Sequence, residues 1–288
     1  MSFYNENIQL VECPRDAMQG WHAFIPTPKK IEYINSLLQV GFHTIDFGSF
    51  VSAKAIPQMA DTAEVLRGLA PGEKNSRLLA IVANERGAKE AAGFDAITDL
   101  GFPFSVSPTF QMRNTNSTME ESLKRLDGIK NICDRHSKQL VVYLSMGFGN
   151  PYGDPYDQDV LLHWAEEMVG RSIRIISLAD TVGIARPEQI SFALNALQPA
   201  YPDVIFGVHL HSSQASWRSK LEAALHAGSR RIDGALMGIG GCPMAQDSLV
   251  GNMSTENIIA LMEEENQVTG VDRAALSRSL ELASRLFQ

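Results

Sequence analysis

The fold is decided by residues 139–179, which read QLVVYLSMGFGNPYGDPYDQDVLLHWAEEMVGRSIRIISLA. An apolar run rich in β-branched residues, Gln139–Ser145, is followed by a segment of helical period, Asp157–Gly170, and then by a second apolar run, Ile173–Ala179. Gly170 stands where the helical period stops, which is typical of the residue that closes a helix. A strand–helix–strand unit of this kind predicts two parallel strands joined by a covering helix.

The same alternation continues along the chain in both directions. Strands are predicted at Ile8–Cys13, His43–Phe47, Arg77–Val82, Ala96–Leu100, Gln139–Ser145, Ile173–Ala179, Val204–His211 and Arg231–Ile239. Eight such repeats in 288 residues favour a (β/α)8 TIM barrel over an open doubly wound sheet, and no G-x-G-x-x-G motif follows the first strand. We therefore predict one α/β domain over 1–288, with the barrel at about 8–265 and a short C-terminal helical extension at about 268–288.

Composition excludes several classes of protein. The net charge is −8, and the basic residues form no concentrated run, which argues against nucleic-acid binding. The longest apolar runs are too short to cross a membrane, and residues 1–9 lack the features of an export signal. Three scattered cysteines do not form a disulfide framework. We expect a cytoplasmic protein with no membrane or nucleic-acid partner, and a homodimer stays open as its oligomeric state.

Two histidines near the end of the seventh predicted strand suggest a metal site. Functional groups of a TIM barrel lie at the carboxyl ends of the strands. Because side chains alternate along a strand, His209 and His211 point to the same face. Burying two imidazoles on one inward face is costly without partners, which favours a role as metal ligands. A pair of hydrogen-bonded core histidines is the alternative.

Polar residues follow several other predicted strands. Arg15 and Asp16 come after the first strand, Asp46 lies in the second, Asp180 follows the sixth, and Asn252 lies beyond the eighth. A surface ion pair is the alternative for Arg15 and Asp16, and a turn cap is the alternative for Asp180. One carboxylate, two imidazoles and an amide oxygen suit Mg²⁺ or Mn²⁺ better than a structural zinc ion.

A cysteine and the lysines bear on the type of reaction. Cys242 follows three nearby glycines, which permit close backbone approach, so it is a candidate reactive thiol or an uninvolved neighbour of the site. None of the nine lysines lies in a predicted strand, and only Lys54 is predicted near the barrel mouth. This pattern favours metal-dependent carbon–carbon chemistry over Schiff-base chemistry.

Four segments resemble motifs of the 3-hydroxy-3-methylglutaryl-CoA lyase family. Residues 14–19, PRDAMQ, resemble PRDGLQ, and residues 49–61, SFVSAKAIPQMAD, resemble SFVSPKxVPQMxD. Residues 177–183, SLADTVG, resemble SLGDTIG, and residues 240–245, GGCPMA, resemble GGCPYA. The resemblance extends from about Val11 to about Gly270, with every motif in order.

The resemblance implies retro-aldol cleavage of 3-hydroxy-3-methylglutaryl-CoA, or of a close 3-hydroxyacyl-CoA, to acetyl-CoA and acetoacetate, as in leucine degradation. It implies four ligands for a divalent cation, Mg²⁺ or Mn²⁺: Asp16, His209, His211 and Asn252. It also implies that Arg15 stabilises the enolate and that Asp46 or Asp180 accepts the hydroxyl proton. His209 and Cys242 are implied to deliver a proton to the enolate carbon. Gln19 is implied to lie at the barrel mouth, and Arg113 and Asn114 to contact CoA.

The sequence also departs from the family pattern at four positions near these motifs. Ala17 replaces a glycine, His22 a lysine, Asp46 a glutamate and Ser212 an aspartate. The metal site is thus expected to be intact and the acyl and CoA pocket altered. Two alternatives follow: another metal-dependent barrel aldolase or condensing enzyme acting on a hydroxy-keto acid, and a catalytically weakened paralogue that binds CoA esters.

Overall fold

A computed structural model describes residues 8–70, 74–241 and 250–288. Its eight parallel strands form a closed barrel in which each strand pairs with the next and β8 pairs with β1. The strands are β1 Gln9–Glu12, β2 Thr44–Ser49, β3 Arg77–Ile81, β4 Asp99–Ser105, β5 Gln139–Ser145, β6 Ile175–Ala179, β7 Ile205–His209 and β8 Arg231–Gly234. The predicted (β/α)8 barrel is confirmed.

Helices cover the outside of the barrel. They are α1 Pro14–Gln19, α2 Thr27–Leu38, α3 Thr62–Arg67, α4 Glu85–Ala92, α5 Pro108–Thr115, α6 Met119–Arg135, α7 Gln158–Gly170, α8 Pro187–Ala200, α9 Trp217–His226, α10 Thr255–Glu264 and α11 Arg273–Leu286. The predicted C-terminal extension is α11, and the Phe287 ring that follows it packs edge-on against Trp21 and Tyr33. Among the described helices, none combines the length and apolar character needed to cross a membrane.

Several predicted strand ends differ from the observed ones by one or two residues, and two strands, β4 and β8, differ by more. β4 continues to Ser105 although Gly101 and Pro103 are weak strand formers. Pairing with β3 stops at Gly101, so the missing N–H of Pro103 breaks no bond on that side. β8 ends at Gly234 because the chain turns at Leu236–Gly238, where Met237 adopts a left-handed conformation with φ 61°.

One side of the barrel interior is apolar. Leu79, Ile81, Val141, Tyr143 and Ile175 form one buried cluster. They alternate along β3, β5 and β6 with residues that face the surrounding helices, as the two-residue period of a strand requires. This cluster fills the part of the interior lined by β3, β5 and β6, and the polar residues described next lie toward the carboxyl-terminal mouth and the β8 side.

Candidate active site

The Arg-Asp pair lies at the barrel mouth on a helical turn. Helix α1 begins directly after β1, with Pro14 in its first turn, where the missing N–H of proline breaks no helical bond. Arg15 and Asp16 follow at once and are buried, and Gln19 ends the helix. The short helix therefore holds all three side chains at the end of the first strand, as predicted from the sequence.

Asp16 is the centre of the polar cluster. Its Oδ1 accepts hydrogen bonds from Arg15 Nη1 at 2.8 Å and Gln19 Nε2 at 2.9 Å, and its Oδ2 accepts one from Asn252 Nδ2 at 2.8 Å. Burial disfavours ionisation, but the charges of Arg15 and the nearby histidines outweigh it and lower the pKa of Asp16 to about 2. The carboxylate is therefore anionic near neutral pH.

Asp16, His209 and His211 form a cluster that can hold a metal ion, since their ligand atoms all lie within 4.8 Å of one another. His211 Nδ1 lies 3.0 Å from the Thr181 carbonyl, which can only accept, so this nitrogen carries the proton. Its Nε2 is buried without a hydrogen-bond partner in the described part of the chain. Burial and neighbouring His209 lower the pKa of His211 to about 4. A neutral imidazole with a free lone pair fits a divalent cation.

Asn252, the fourth predicted ligand, reaches the cluster from the loop after β8. It forms an isolated antiparallel bridge with His211, and its amide group contacts the Asp16 carboxylate. Gly240, on the same loop, has φ +109°, and a Cβ there would lie 3.0 Å from the Asp16 carbonyl and clash with the Asn252 amide. The loop therefore needs glycine to approach the ligands this closely.

Arg15 also binds a second carboxylate. Its Nε lies 3.2 and 3.0 Å from the two oxygens of Asp46, which also accepts from Nη2. Asp46 is fully buried, and burial raises its pKa while Arg15 opposes the rise. The guanidinium thus bridges Asp16 and Asp46 inside the mouth, and the alternative of a surface ion pair is excluded.

Asp180 closes a turn behind the cluster. Its Oδ1 accepts from the Ala185 amide at 2.9 Å, and its Oδ2 from Lys220 Nζ at 2.7 Å. The same ammonium donates to the carbonyls of Gly183 and His211 at 2.8 and 2.9 Å. Both carboxylate oxygens are engaged, so the geometry favours the interpretation of Asp180 as a turn cap.

The prediction that Lys54 is the one lysine near the mouth is wrong. Lys220 extends from α9 to the underside of the site and is 2% exposed. A signal was present in the sequence, because Lys220 shares the buried helix face with Leu221 and Ala224. Its ammonium donates three hydrogen bonds, and Lys220 does not line the cavity that opens over Asp16, His209 and His211. Lys220 therefore supplies no imine-forming amine.

Replacing Lys220 with methionine is expected to lower the free energy of unfolding by about 3–5 kcal/mol, because it leaves the buried Asp180 charge unpaired. Chemical denaturation measures the change, and adding Asp180→Asn should restore most of the loss. The matched control is Lys130→Met, which breaks an exposed pair with Asp134 and should cost less than about 1 kcal/mol. Equal costs for the two lysine variants would contradict the assigned role.

A cavity opens over the cluster. Its polar lining includes Arg15, Asp16, Gln19, Asn114, Thr115, Ser145, Thr181, His209 and His211, and its apolar lining includes Val51, Ile56, Ile81, Pro103, Phe110 and Tyr143. Asp46 and Asp180, although described, are not among the lining residues. Arg113 stacks on the Tyr152 ring, 4.4 Å from its centroid, beside the lining residue Asn114. Cys242 lies outside the described residues.

Glu12 is a buried carboxyl that no sequence motif marks. It accepts hydrogen bonds from the Leu236 amide at 2.9 Å and from Thr255 Oγ1 at 2.6 Å. Burial raises its pKa to about 8, against these two hydrogen bonds. Glu12 thereby ties β1 to both ends of the segment that carries Cys242 and Asn252.

Replacing Glu12 with glutamine is expected to flatten the dependence of stability on pH. Because the folded-state pKa is raised from 4.5 to about 8, the folded protein keeps a proton that the unfolded chain has lost. Stability therefore falls as pH rises through this window, by at most about 1.4 kcal/mol per pH unit, and glutamine removes that slope. Urea denaturation across the window measures it, and the exposed Glu188→Gln should keep the wild-type slope.

The sequence is similar to one family model and to several curated lyases. A family model described as HMGL-like matches residues 7–282. The chain is 32% identical over 270 residues to the cytoplasmic 3-hydroxy-3-methylglutaryl-CoA lyase of Mus musculus, covering 93% of this chain and 77% of that protein. It is 33% identical over 258 residues to a hydroxymethylglutaryl-CoA lyase of Bacillus subtilis, covering 90% of this chain and 85% of that protein.

Solved structures agree with the sequence relatives. The fold matches an HMG-CoA lyase from Acinetobacter baumannii, in complex with coenzyme A and 3-methylmalate, with a TM-score of 0.91 and 30% identity over 100% of this chain and 93% of that one. It matches the HMG-CoA lyase of Bacillus subtilis with a TM-score of 0.90 and 31% identity, over 98% and 94% of the chains. These matches confirm the resemblance drawn from the four sequence motifs.

Proposed function

Because the chain belongs to the HMGL-like family, we propose that it is a carbon–carbon lyase that cleaves 3-hydroxy-3-methylglutaryl-CoA, or a close 3-hydroxyacyl-CoA, to acetyl-CoA and acetoacetate or the corresponding ketone. The observation that carries the proposal is the Asp16–His209–His211 cluster, which opens beside Arg15 into one cavity. The related lyases and the ligands of the Acinetobacter structure support an acyl-CoA substrate.

Asp16, His209, His211 and Asn252 are the residues that would hold a divalent cation, Mg²⁺ or Mn²⁺ by their mixed oxygen and nitrogen donors. A bound cation would polarise the carbonyl and hydroxyl oxygens of the substrate. The orphaned Nε2 of His211 and the anionic Asp16 support this assignment.

We assign to Arg15 the stabilisation of the charge that forms in the reaction. In a retro-aldol cleavage the bond between the α and β carbons breaks, and its electron pair forms the enolate of the thioester. The hydroxyl proton leaves as the ketone forms, and the enolate carbon then takes up a proton. Asp16 and Asp46 hold the guanidinium in the mouth before the substrate arrives, so stabilising the enolate requires little reorganisation.

The acceptor of the hydroxyl proton is assigned from the same geometry. Asp46 contacts the cavity-lining Arg15, whereas Asp180 faces Lys220 and a turn amide, so we assign the hydroxyl proton to Asp46. Asp46 does not line the cavity, and a hydrogen bond from a substrate hydroxyl to a catalytic carboxylate often forms only once the substrate is bound. His209 has one free lone pair when neutral, and the ligand role takes it. From the family resemblance we keep Cys242, which lies outside the described residues, together with His209 as the groups that manage the proton delivered to the enolate carbon.

The CoA portion is assigned to the outer part of the cavity. Asn114 lines the cavity, and the neighbouring Arg113 is held over the Tyr152 ring. A cation near the mouth offers an attraction for the anionic thioester that the net charge of −8 does not. We assign both residues to CoA binding.

The test is an assay of the purified protein with Mg²⁺ or Mn²⁺ and 3-hydroxy-3-methylglutaryl-CoA. We expect metal-dependent release of acetyl-CoA and acetoacetate, which a chelator abolishes. Binding of the thioester without turnover of it or near analogues would indicate the weakened paralogue. Cleavage of a free hydroxy-keto acid, with protection by pyruvate-type inhibitors and not by CoA thioesters, would indicate the other barrel aldolase. Either result would overturn the proposal.

A further inference from the structure

The second ring nitrogen of His209 faces a buried carboxylate. His209 Nδ1 lies 3.3 Å from Oδ2 of Asp233, which is 1% exposed. The two residues are direct partners in the pairing of β7 with β8. The contact is therefore set by the register of two barrel strands and not by a loop.

Asp233 is held from its other sides as well. Ser177 Oγ donates to the same Oδ2 at 3.3 Å, and the buried Arg231 guanidinium places its Nε 3.4 Å from Oδ1. Arg231 is 1% exposed, so a positive charge accompanies the carboxylate inside the barrel. An ionised Asp233 can only accept a hydrogen bond, so the proton of the pair lies on His209 Nδ1.

A second set of potential ligands shares His209, because the ligand atoms of Cys13, His209 and Asp233 also lie within 4.8 Å of one another. Burial, with a contribution from the charge of Asp233, raises the pKa of the Cys13 thiol well above its ordinary value. Neither Cys13 nor Asp233 lines the cavity, whereas Asp16 and His211 do. Asp233 thus stands behind His209 as seen from the cavity.

We propose that Asp233 is a positioning residue for the metal site. By accepting the Nδ1 proton of His209 it fixes the orientation and tautomer of the ring, which leaves the Nε2 lone pair for a cation. The Thr181 carbonyl does the same for His211. Substitution of a residue that accepts a hydrogen bond from a metal-binding histidine typically weakens metal affinity by about 10–100-fold. The inference rests on the metal site of the proposed function and not on the reaction.

The test compares two buried aspartates. Asp233→Asn is expected to weaken Mn²⁺ binding in calorimetry by about 10–100-fold. The matched control is Asp99→Asn, since Asp99 is equally buried and pairs with Arg77 instead of a predicted ligand; it should bind Mn²⁺ as the wild type does. If Asp233→Asn does not fold, Asp233→Ser combined with Arg231→Met removes both buried charges and should show the same loss. Equal affinity in the Asp233 variants and the wild type would overturn the proposal.

A second measurement needs no ion and no substrate. In ¹⁵N NMR of the metal-free protein, His209 should carry its proton on Nδ1, and Asp233→Asn should shift the tautomer while Asp99→Asn leaves it unchanged. An unchanged tautomer would overturn the proposal even if the affinity falls. A thiolate absorption band of the Co²⁺ form that disappears in Cys13→Ser would overturn it too, because it would make Asp233 part of a different site. An inactive wild type with these signatures would contradict the proposed function alone.

Discussion

Replacing Arg15 with methionine is expected to lower kcat for thioester cleavage by at least about 10²–10³-fold, the usual cost of losing one donor aimed at a developing oxyanion. Methionine keeps most of the apolar stem and removes the guanidinium that bridges Asp16 and Asp46. Steady-state assays of the released acetyl-CoA measure the effect. KM should change less than kcat, because the interaction lost is strongest in the transition state.

The Arg15 prediction needs a control for stability, because the substitution leaves the buried Asp46 without its partner. Arg15→Met combined with Asp46→Asn should regain stability, which would show that the unpaired carboxylate causes the loss; its activity does not test Arg15, because Asp46 itself is assigned a proton transfer. Arg77→Met breaks the Arg77–Asp99 pair, which lies at the start of β3, away from the mouth, and should leave kcat unchanged. A folded Arg15→Met variant that keeps the wild-type kcat would contradict the role of Arg15.

Replacing His211 with alanine is expected to abolish metal binding in the micromolar range, a loss of at least about 100-fold, since loss of a direct ligand costs no less than loss of a supporting residue. The Nδ1 of His211 bonds the Thr181 carbonyl, and its buried Nε2 has no hydrogen-bond partner in the described part of the chain. Titration calorimetry with Mn²⁺ measures the affinity, and activity should fall in parallel.

His226 provides the matched control for His211. It is exposed on α9, paired with Glu265, and its replacement by alanine should change neither metal affinity nor turnover. An His211→Ala variant that still binds Mn²⁺ as tightly as the wild type would show that the cluster is not the metal site.

The fold was predictable because its signal is periodic and repeated. The barrel strands are largely buried and apolar, and α2, α7 and α9 end at or near Gly41, Gly170 and Gly228, so errors in one repeat do not disturb the others. The boundary errors arose where tertiary context overrides local preference. Pro103 is tolerated because the pairing with β3 has already stopped, and no local pattern indicates that.

Part of the candidate site was predictable, because strand period suggested that His209 and His211 share a face and the family resemblance implied Asp16 and Asn252 as their partners. The residues behind them were not predictable in the same way. Lys220, Glu12 and Asp233 act through the reach and burial of single side chains, which depend on packing across several elements. Asp180 illustrates the limit, because its position after β6 fits a base and a turn cap equally well.

Ring closure has a consequence for folding. Asp16 and Asn252 touch although 236 positions separate them in the chain, and they meet because β8 pairs with β1. In a nascent or partly folded chain, Asp16 is present long before Asn252 can reach it. A cation at this site would therefore bind only after β8 has paired with β1 and the barrel has closed. Metal uptake during refolding would then report the final step of assembly.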